Sequence, residues 1–372
     1  MNFFYPIFRN SEQDMHFRAL TGLRMIAASL VFFYHNRKYW RGNLHPELIR
    51  FFNEGHLGVT LFFVLSGFLI AYNYSDKPLA TPKAFFRYFA LRTARIIPLY
   101  WLILSARYLD WGFPSAGSTF STYFLIHAFS NRFNLDAIAQ AWTLNVEFCY
   151  YFLAPLLYLF IRKSLLMPFI ACLAVSGIAI FTGIGWHWTT GNPMQVLYPL
   201  NFVLESTFFG RFPEFLWGMA LASYMSGNKK LQFLLPQKYR SGIGFAGFFG
   251  LIYLTGLLES KEFVHGTDHP LGMALRATLI PWLIICLLHG LITEKSMLQR
   301  FLGCAAMEVL GKASFAFYLI HISYVSIQLR EFILLPDRNF FLLWGIALVF
   351  YWFLEKPSYG FLKKQINRRS AE

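Results

Sequence analysis

The sequence predicts an all-α protein that crosses a membrane many times, and three observations support this fold class. Of the 372 residues, 56% are hydrophobic and only 14% carry charge, whereas a soluble domain carries roughly a quarter charged residues. Apolar segments recur from one end of the chain to the other, separated by short polar stretches. The formal net charge of +14 fits basic loops on the cytoplasmic side of a membrane, so we expect no nucleic-acid partner.

Ten apolar segments are candidates for membrane-spanning helices. Several are shorter than the ~20 residues that a perpendicular span needs, so their helices are expected to extend into the flanking sequence. The weaker stretch 119–130 is short and polar at both ends, and we interpret it as an interfacial or re-entrant piece. The ten segments are residues 18–36, 56–75, 96–109, 142–161, 167–186, 212–226, 241–258, 271–292, 313–332 and 339–355.

The distribution of Lys and Arg predicts the orientation of these spans. With the N-terminus in the cytoplasm, 21 of the 33 basic residues fall in inner segments and ten in outer ones, while Arg24 and Arg276 lie within spans. Basic residues concentrate in cytoplasmic loops, and an even number of spans returns the C-terminus to the same side. We therefore expect a multi-pass protein of the inner (cytoplasmic) membrane, surrounded by lipid, with both termini inside. The first sixteen residues are not expected to be a cleavable signal peptide.

The first span contains two ionisable residues. Arg24 and His35 are eleven residues apart, close to three helical turns, so both should project from one face about 16 Å apart. Ionisable groups at membrane depth usually face a protein interior or a water-filled cavity and serve a function. On this helix alone, a snorkelling Arg24 and an interfacial His35 explain the pattern equally well.

A second basic pair precedes the third apolar segment. Arg92 and Arg95 stand at positions i and i+3, hence on one helical turn, on the predicted cytoplasmic side. Guanidinium groups bind phosphates in a bidentate manner, so this pair could hold a phosphorylated cytosolic ligand. Their position by itself favours the simpler role of two anchors at the inner membrane surface.

Seven sequence blocks between residues 17 and 357 resemble, in the same order, the motifs of one family. They are FRALTGLRMIAASLVFFYH (17–35), GVTLFFVLSGFLI (58–70), the Arg92–Arg95 pair with Pro98 and Tyr100, AWTLNVEFCYY (141–151), RFPEFLWGMALA (211–222), SFAFYLIHISY (314–324) and LEKP (354–357). The family is the acyltransferase 3 family of integral-membrane acyltransferases, here in its stand-alone membrane form. The resemblance implies a single integral-membrane acyltransferase domain over residues 1–372.

The resemblance implies an enzyme that transfers an acyl group, commonly acetyl, from cytosolic acyl-coenzyme A to a hydroxyl of a cell-surface or exported glycan. Lipopolysaccharide and exopolysaccharide are among the family's acceptors, so we expect O-acetylation of a cell-envelope polysaccharide. His35 and Arg24 fall on the family's essential histidine and basic residue, and Arg92 and Arg95 on its donor-binding arginines. Acetyl-coenzyme A is then a donor substrate, and neither a permanently bound cofactor nor a metal is expected.

The predicted topology assigns further roles near the outer membrane surface. We expect Glu147 to fix the tautomer of His35 and to stabilise the imidazolium, as carboxylates do for other histidine bases. Trp142, Arg211 and Glu214 are expected to bind the acceptor. Because Arg211 and Glu214 also stand at i and i+3, a structural ion pair is an equally good interpretation.

Other polar motifs are interpreted as structural. His321, in the ninth span, is expected to hydrogen bond across helices, and the loop segment HGTDH (265–269) to form a polar turn. The four cysteines are read as small core hydrophobes. Thr21 and Phe148 stand where the family usually has carboxylates, which leaves the identity of the acceptor open.

Two alternatives to this function remain open. Many spans, basic inner loops and intramembrane ionisable residues also fit a transporter or flippase for lipid-linked glycans, although the sequence shows no internal repeat. A different membrane-bound acyltransferase fold that acts on lipid or protein is the second alternative. The spacing of Arg24 and His35, together with the pair Arg92 and Arg95, favours the glycan acyltransferase because transport does not explain it.

Overall fold

The computed structural model describes residues 11–40, 42, 44–74, 81–136, 138–164, 166–193, 195–227, 239–332 and 336–371. Over these residues the regular secondary structure is helical, and no strand occurs apart from an isolated bridge between Ser130 and Val196. The predicted all-α class is therefore confirmed for the described part of the chain. Outside it lie residues 1–10 of the N-terminal tail, residues 77–80 of the predicted inner segment 77–95 and residues 229–238 of the predicted inner segment 229–240.

Seventeen α-helices lie within the described residues. A π-helical segment, Tyr351–Glu355, connects the last two. The helices are α1 (Ser11–Asn36), α2 (Pro46–Asn53), α3 (Gly58–Tyr74), α4 (Pro82–Trp111), α5 (Ala116–Tyr123), α6 (Trp142–Lys163), α7 (Leu166–Thr190), α8 (Leu200–Ser206), α9 (Phe208–Met225), α10 (Arg240–Gly256), α11 (Pro270–Ala277), α12 (Leu279–Thr293), α13 (Met297–Leu302), α14 (Ala305–Ile320), α15 (Tyr324–Phe332), α16 (Pro336–Phe350) and α17 (Lys356–Ala371).

Seven helical segments among the described residues are long and apolar enough to cross a membrane. Each extends beyond the apolar stretch visible in the sequence, as a bilayer about 30 Å thick requires. The protein is therefore a multi-pass helical membrane protein. The segments are Phe17–Trp40, Pro46–Tyr74, Pro82–Trp111, Ala139–Lys163, Leu166–Thr190, Pro270–Thr293 and Asn339–Arg368.

The other three apolar segments of the sequence form shorter helices. Helices α10 and α14 have 17 and 16 residues, and α9 has 18 residues but contains the charged pair Arg211 and Glu214. At 1.5 Å per residue such helices are about 24–27 Å long, slightly less than the bilayer core. The number of ten spans therefore stays a prediction. The stretch 119–130 does not span, because α5 ends at Tyr123 after eight residues.

The chain forms two compact units, each assembled from two stretches, and unit 1 comprises Met1–Leu65 and Gln232–Phe315. Within unit 1, α10 packs along α12, and α1 packs against α12 and α13. Helices α1 and α14 approach so closely that a Cβ atom at Gly311 would lie 1.9 Å from the carbonyl oxygen of Thr21. Glycine at this position therefore permits the backbone contact that holds α1 in unit 1.

Unit 2 comprises Ser66–Leu231 and Ala316–Glu372. Within it, α9 packs against α6, α7 and α8, while α17 runs along α4. The buried rings of Tyr150 on α6 and Phe215 on α9 stack with their centroids 4.2 Å apart. Such aromatic contacts hold α6 and α9 in register, and these two helices contain Trp142, Glu147, Arg211 and Glu214.

Candidate active site

Helix α1 places Arg24 and His35 on a single unbroken helix of unit 1. Their separation of eleven residues corresponds to about 16 Å along the axis, and both residues are half-buried. The guanidinium carbon of Arg24 lies 5.8 Å from the ring centroid of Phe62, a cation–π contact that holds the charge against an apolar wall. The predicted helical relation between the two residues is therefore confirmed.

The surroundings of His35 include residues that sequence reasoning missed. The rings of His35 and Tyr34 meet in an edge-to-face contact, with centroids 4.6 Å apart. The Tyr34 hydroxyl lies 3.2 Å from Nε2 of His265, and the ring of His56 lies 5.1 Å from Tyr34 and 5.3 Å from His265. Segment 265–269 forms the predicted turn, and that turn packs against the end of α1.

The turn at 265–269 is held by a buried polar contact with Glu54. The carboxylate of Glu54, which is fully buried, accepts a hydrogen bond of 2.6 Å from the backbone N–H of Gly266. Burial lowers the pKa of the His265 imidazole below its ordinary value, although the nearby Asp268 carboxylate opposes this effect. We therefore expect His265 to be neutral at pH 7. The turn is thus a half-buried polar segment that contacts Tyr34, the residue before His35.

A cleft of about 720 Å³ opens in unit 1, and residues from both of its stretches line it. Asn53 connects the cleft to the end of α1, because its side chain accepts a hydrogen bond from Arg37 and donates one of 2.7 Å to Glu259. The lining therefore offers both donors and acceptors. Its residues are Gly42, Leu44, Pro46, Ile49, Arg50, Asn53, Glu259, Ser260 and Lys261.

In unit 2, Glu147 lies on α6 with its carboxylate inside a polar contact set. The Ser66 hydroxyl donates a hydrogen bond of 2.6 Å to Glu147, and the Tyr151 hydroxyl also hydrogen bonds to this carboxylate. Tyr151, one turn further along α6, faces Arg92, whose guanidinium carbon lies 5.9 Å from the ring centroid. The predicted catalytic carboxylate and the predicted donor arginine therefore share a tyrosine.

The structure corrects the expected position of Arg92 and Arg95. Helix α4 begins at Pro82, so both arginines lie inside the helix rather than just before a span. Arg92 also lies over the buried Tyr88 ring, at 6.0 Å, and Arg95 Nε lies 4.0 Å from a carboxylate oxygen of Glu355. The physical reason is that the first turns of α4 pack along α17. This packing stabilises α4 beyond its apolar part.

The predicted acceptor-binding residues are adjacent in unit 2. Arg211 Nε donates a hydrogen bond of 2.8 Å to Glu214, and both residues are almost fully buried. The guanidinium carbon of Arg211 lies 5.6 Å from the ring centroid of the half-buried Trp142. This geometry shows the ion pair that the i and i+3 spacing allowed. The arginine of the pair also contacts the Trp142 ring. An acceptor role for the three residues stays a prediction.

His321 is buried, as a structural role requires, but its contact at Nδ1 is with the preceding turn of its own helix, and the hydrogen bond across helices stays a prediction. It is fully buried in unit 2, its Nδ1 lies 2.6 Å from the carbonyl oxygen of Tyr318, and its ring is parallel to that of Phe317. Among the described residues there is no group of three or more His, Cys, Asp or Glu side chains that could hold a metal ion. The donor set of the described site is therefore imidazole, carboxylate, guanidinium and phenol.

Comparison with known proteins identifies the class. A family model described as an acyltransferase domain (Acyl_transf_3) matches residues 17–354, which include every predicted site residue. The chain therefore belongs to the acyltransferase 3 family. The predicted enzyme class is confirmed at the level of this domain, and the match disfavours a transporter.

Three relatives cover different shares of the chain. The O-acetyltransferase OatA of Staphylococcus aureus is 24% identical over 328 residues, which cover 81% of this chain and 49% of that protein. The acyltransferase MdmB of Streptomyces mycarofaciens is 25% identical over 325 residues, which cover 82% of this chain and 77% of that protein. The exopolysaccharide production protein ExoZ of Rhizobium meliloti is 34% identical over 114 residues, which cover 27% of this chain and 33% of that protein. The chain thus spans about half the length of the Staphylococcus relative. No solved structure matches the chain.

The buried ion pair of α9 gives a first prediction. Arg211→Met should lower the free energy of unfolding by about 3–5 kcal/mol, because the Glu214 carboxylate is left buried without its partner. The double variant Arg211→Met/Glu214→Leu should recover most of this loss, since it removes both charges together. Unfolding of the purified protein in detergent measures both effects. Arg132→Met, at an exposed position of the same unit, is the matched control. Parental stability of Arg211→Met would contradict a structural pair.

Proposed function

We propose that this protein is a membrane O-acyltransferase that moves an acetyl group from cytosolic acetyl-coenzyme A to a hydroxyl of a cell-surface or exported glycan. The observation that carries the proposal is the match of residues 17–354 to an acyltransferase domain in a chain whose α1 presents Arg24 and His35. The name of one relative, an O-acetyltransferase, supports the acetyl group. The name of another, an exopolysaccharide production protein, supports a glycan acceptor.

His35 is proposed as the general base. Its imidazole takes the proton of the acceptor hydroxyl while that oxygen attacks the thioester carbonyl. When the tetrahedral intermediate collapses, the carbon–sulfur bond breaks, and the imidazolium returns the proton to the leaving thiolate. The products are the O-acyl glycan and coenzyme A, and the histidine ends in its initial state. Glu147 is proposed to stabilise the imidazolium in this cycle.

Arg92 and Arg95 are proposed to bind the phosphates of coenzyme A. Their contacts support this role, because Arg92 rests on the aromatic rings of Tyr88 and Tyr151, which hold a guanidinium without neutralising it. Arg95 is only 4.0 Å from Glu355, a loose ion pair that a phosphate can replace. Arg24, about 16 Å along α1 from His35, is proposed to contact the pantetheine arm or the thioester.

The acceptor is proposed to bind on the outer side of the membrane. In unit 2, the half-buried ring of Trp142 can stack on a sugar. The ion pair of Arg211 and Glu214 holds that ring in place. In unit 1, the cleft that includes Asn53 and Glu259 offers the paired donors and acceptors that sugar hydroxyls require. Each feature, taken by itself, suits a hydroxyl-rich ligand.

The complete topology is proposed to have ten spans, with both termini in the cytoplasm of the inner membrane. Helices α9, α10 and α14 would add three spans to the seven long ones. This orientation places 21 basic residues inside and ten outside. It also gives the cytosolic donor access from the inner face.

Labelling of introduced cysteines tests this topology. Single cysteines at Asn10 and Arg368, in a background without the four native cysteines, should not react with an impermeant thiol reagent in intact cells, because both termini lie inside. A cysteine at Lys261, in the exposed loop after α10, is the control and should react. Reaction at either terminal position in intact cells would overturn the orientation and the proposed donor route.

His35→Ala should leave a folded, inserted protein with at least about a hundredfold lower acetyl transfer, the usual share of a general base. A half-buried histidine near a helix end contributes little to span stability, so the thermal midpoint should stay close to the parent's. The measurement is transfer of radiolabelled acetyl from acetyl-coenzyme A to the glycan fraction. His269→Asn, which keeps a side-chain cap on α11, is the control and should retain activity. Undiminished transfer by His35→Ala would remove His35 from the mechanism.

Arg92→Ala and Arg95→Ala should each weaken acetyl-coenzyme A binding by roughly ten- to a hundredfold, because each loses a charge-assisted contact to phosphate. Arg→Lys at either site should recover only part of the affinity, since an ammonium group cannot form the bidentate contact. Titration of the purified protein measures the dissociation constant. Arg87→Ala, an exposed arginine of the same helix, is the matched control. If the double Ala variant binds as tightly as the parent, these arginines are only membrane anchors.

A further inference from the structure

The end of α1 is held by a turn that lies more than 200 residues later in the chain. The hydroxyl of Tyr34 and Nε2 of His265 are 3.2 Å apart. The ring centroids of the two residues are 5.4 Å apart, and the His56 ring packs against both of them. All three residues are half-buried and belong to unit 1, so this contact lies within that unit.

The turn itself is fixed from several sides. The backbone N–H of His265 donates to the Asp268 carboxylate at 3.0 Å, and that of Gly266 donates to the buried Glu54 carboxylate at 2.6 Å. The Thr267 hydroxyl lies 2.9 Å from Nε2 of His56. A Cβ atom at position 266 would lie 1.7 Å from the carbonyl oxygen of Thr255, so only glycine fits there. The imidazole of His265 therefore has a fixed support.

The Tyr34 ring is held at its other sides as well. The guanidinium carbon of Arg37 lies 4.3 Å from the ring centroid, and Arg37 also donates a hydrogen bond of 2.7 Å to the Tyr34 carbonyl. Arg37 is in turn tied to the Asn53 side chain. The His35 imidazole meets this ring in an edge-to-face contact, with the centroids 4.6 Å apart and an interplanar angle of 62°. A ring that is fixed at its hydroxyl and its face restricts the rotation of the imidazole beside it.

We propose that Tyr34 and His265 are positioning residues that hold the His35 imidazole in its reactive orientation. This inference rests on the proposed role of His35 as base. Neither residue touches the reacting atoms; His265 acts on Tyr34 through its hydroxyl, and Tyr34 acts on His35 through the ring. A base contributes fully only when its orientation is fixed by the groups behind it. A neutral imidazole has one nitrogen that accepts, so His265 in this state can accept the Tyr34 hydrogen bond.

The test is a double-mutant cycle in the purified full-length protein. Tyr34→Phe keeps the ring and removes the hydroxyl, and His265→Ala removes its partner. Each should lower kcat for acetyl transfer about two- to tenfold, the effect of one hydrogen bond, with the KM for acetyl-coenzyme A unchanged. The double variant should be no slower than the slower single variant, because both remove one interaction. His265→Gln, whose amide can reach the Nε2 position, should recover most of the rate.

Two further measurements separate positioning from mere folding. Tyr39→Phe, at an exposed tyrosine near the same helix end, is the matched control and should keep the parental kcat. In the ¹⁵N-histidine spectrum, the signal assigned to His35 by its loss in His35→Ala should shift or broaden in Tyr34→Phe. Parental kcat and an unchanged His35 signal in Tyr34→Phe would overturn the inference. Full activity of His35→Ala would instead overturn the proposed base, so the two failures are distinguishable.

Discussion

Charged side chains inside apolar helices must find their partners within the protein because lipid offers none, and both units are organised around this constraint. In unit 2, Arg211 pairs with Glu214 in an almost fully buried site. Arg92 instead rests on two tyrosine rings, and in unit 1 Arg24 rests on Phe62. The kind of contact differs among these arginines: Arg211 pairs with a carboxylate, whereas Arg92 and Arg24 lie against aromatic rings.

The same constraint explains why the polar contacts of the candidate site connect distant parts of the chain. The end of α1 relies on a turn after α10 for its hydrogen-bonding partner, and Glu54 anchors that turn from the segment before α3. In unit 2, Glu147 on α6 relies on Ser66 of α3. Each of these contacts satisfies a polar group that would otherwise be buried at a cost. The contact of Tyr34 restrains a neighbour of His35, and the contact of Ser66 restrains Glu147, the two residues proposed to act in acyl transfer.

Sequence reasoning was sufficient for features that depend on local spacing. Apolar runs predicted helices, the interval between Arg24 and His35 predicted a shared helix, and the interval between Arg211 and Glu214 allowed their ion pair. Features that depend on tertiary packing could not be predicted this way. The contact of Tyr34 with His265 joins positions 231 apart, and no periodicity records it. An extension of the helix of segment 96–109 was expected, but its start at Pro82 could not be located, because the first turns of α4 pack on α17 and are not apolar enough to mark a span.

The central claim is that this chain transfers an acyl group to an exported glycan. Mass spectrometry of surface glycans from cells with and without the gene, together with the amount of glycan exported, tests it most directly. One acyl substituent should disappear from the glycan in cells without the gene and return when the intact gene is restored. The amount of exported glycan should stay unchanged. Unchanged acylation with reduced export would contradict the account and favour a transporter.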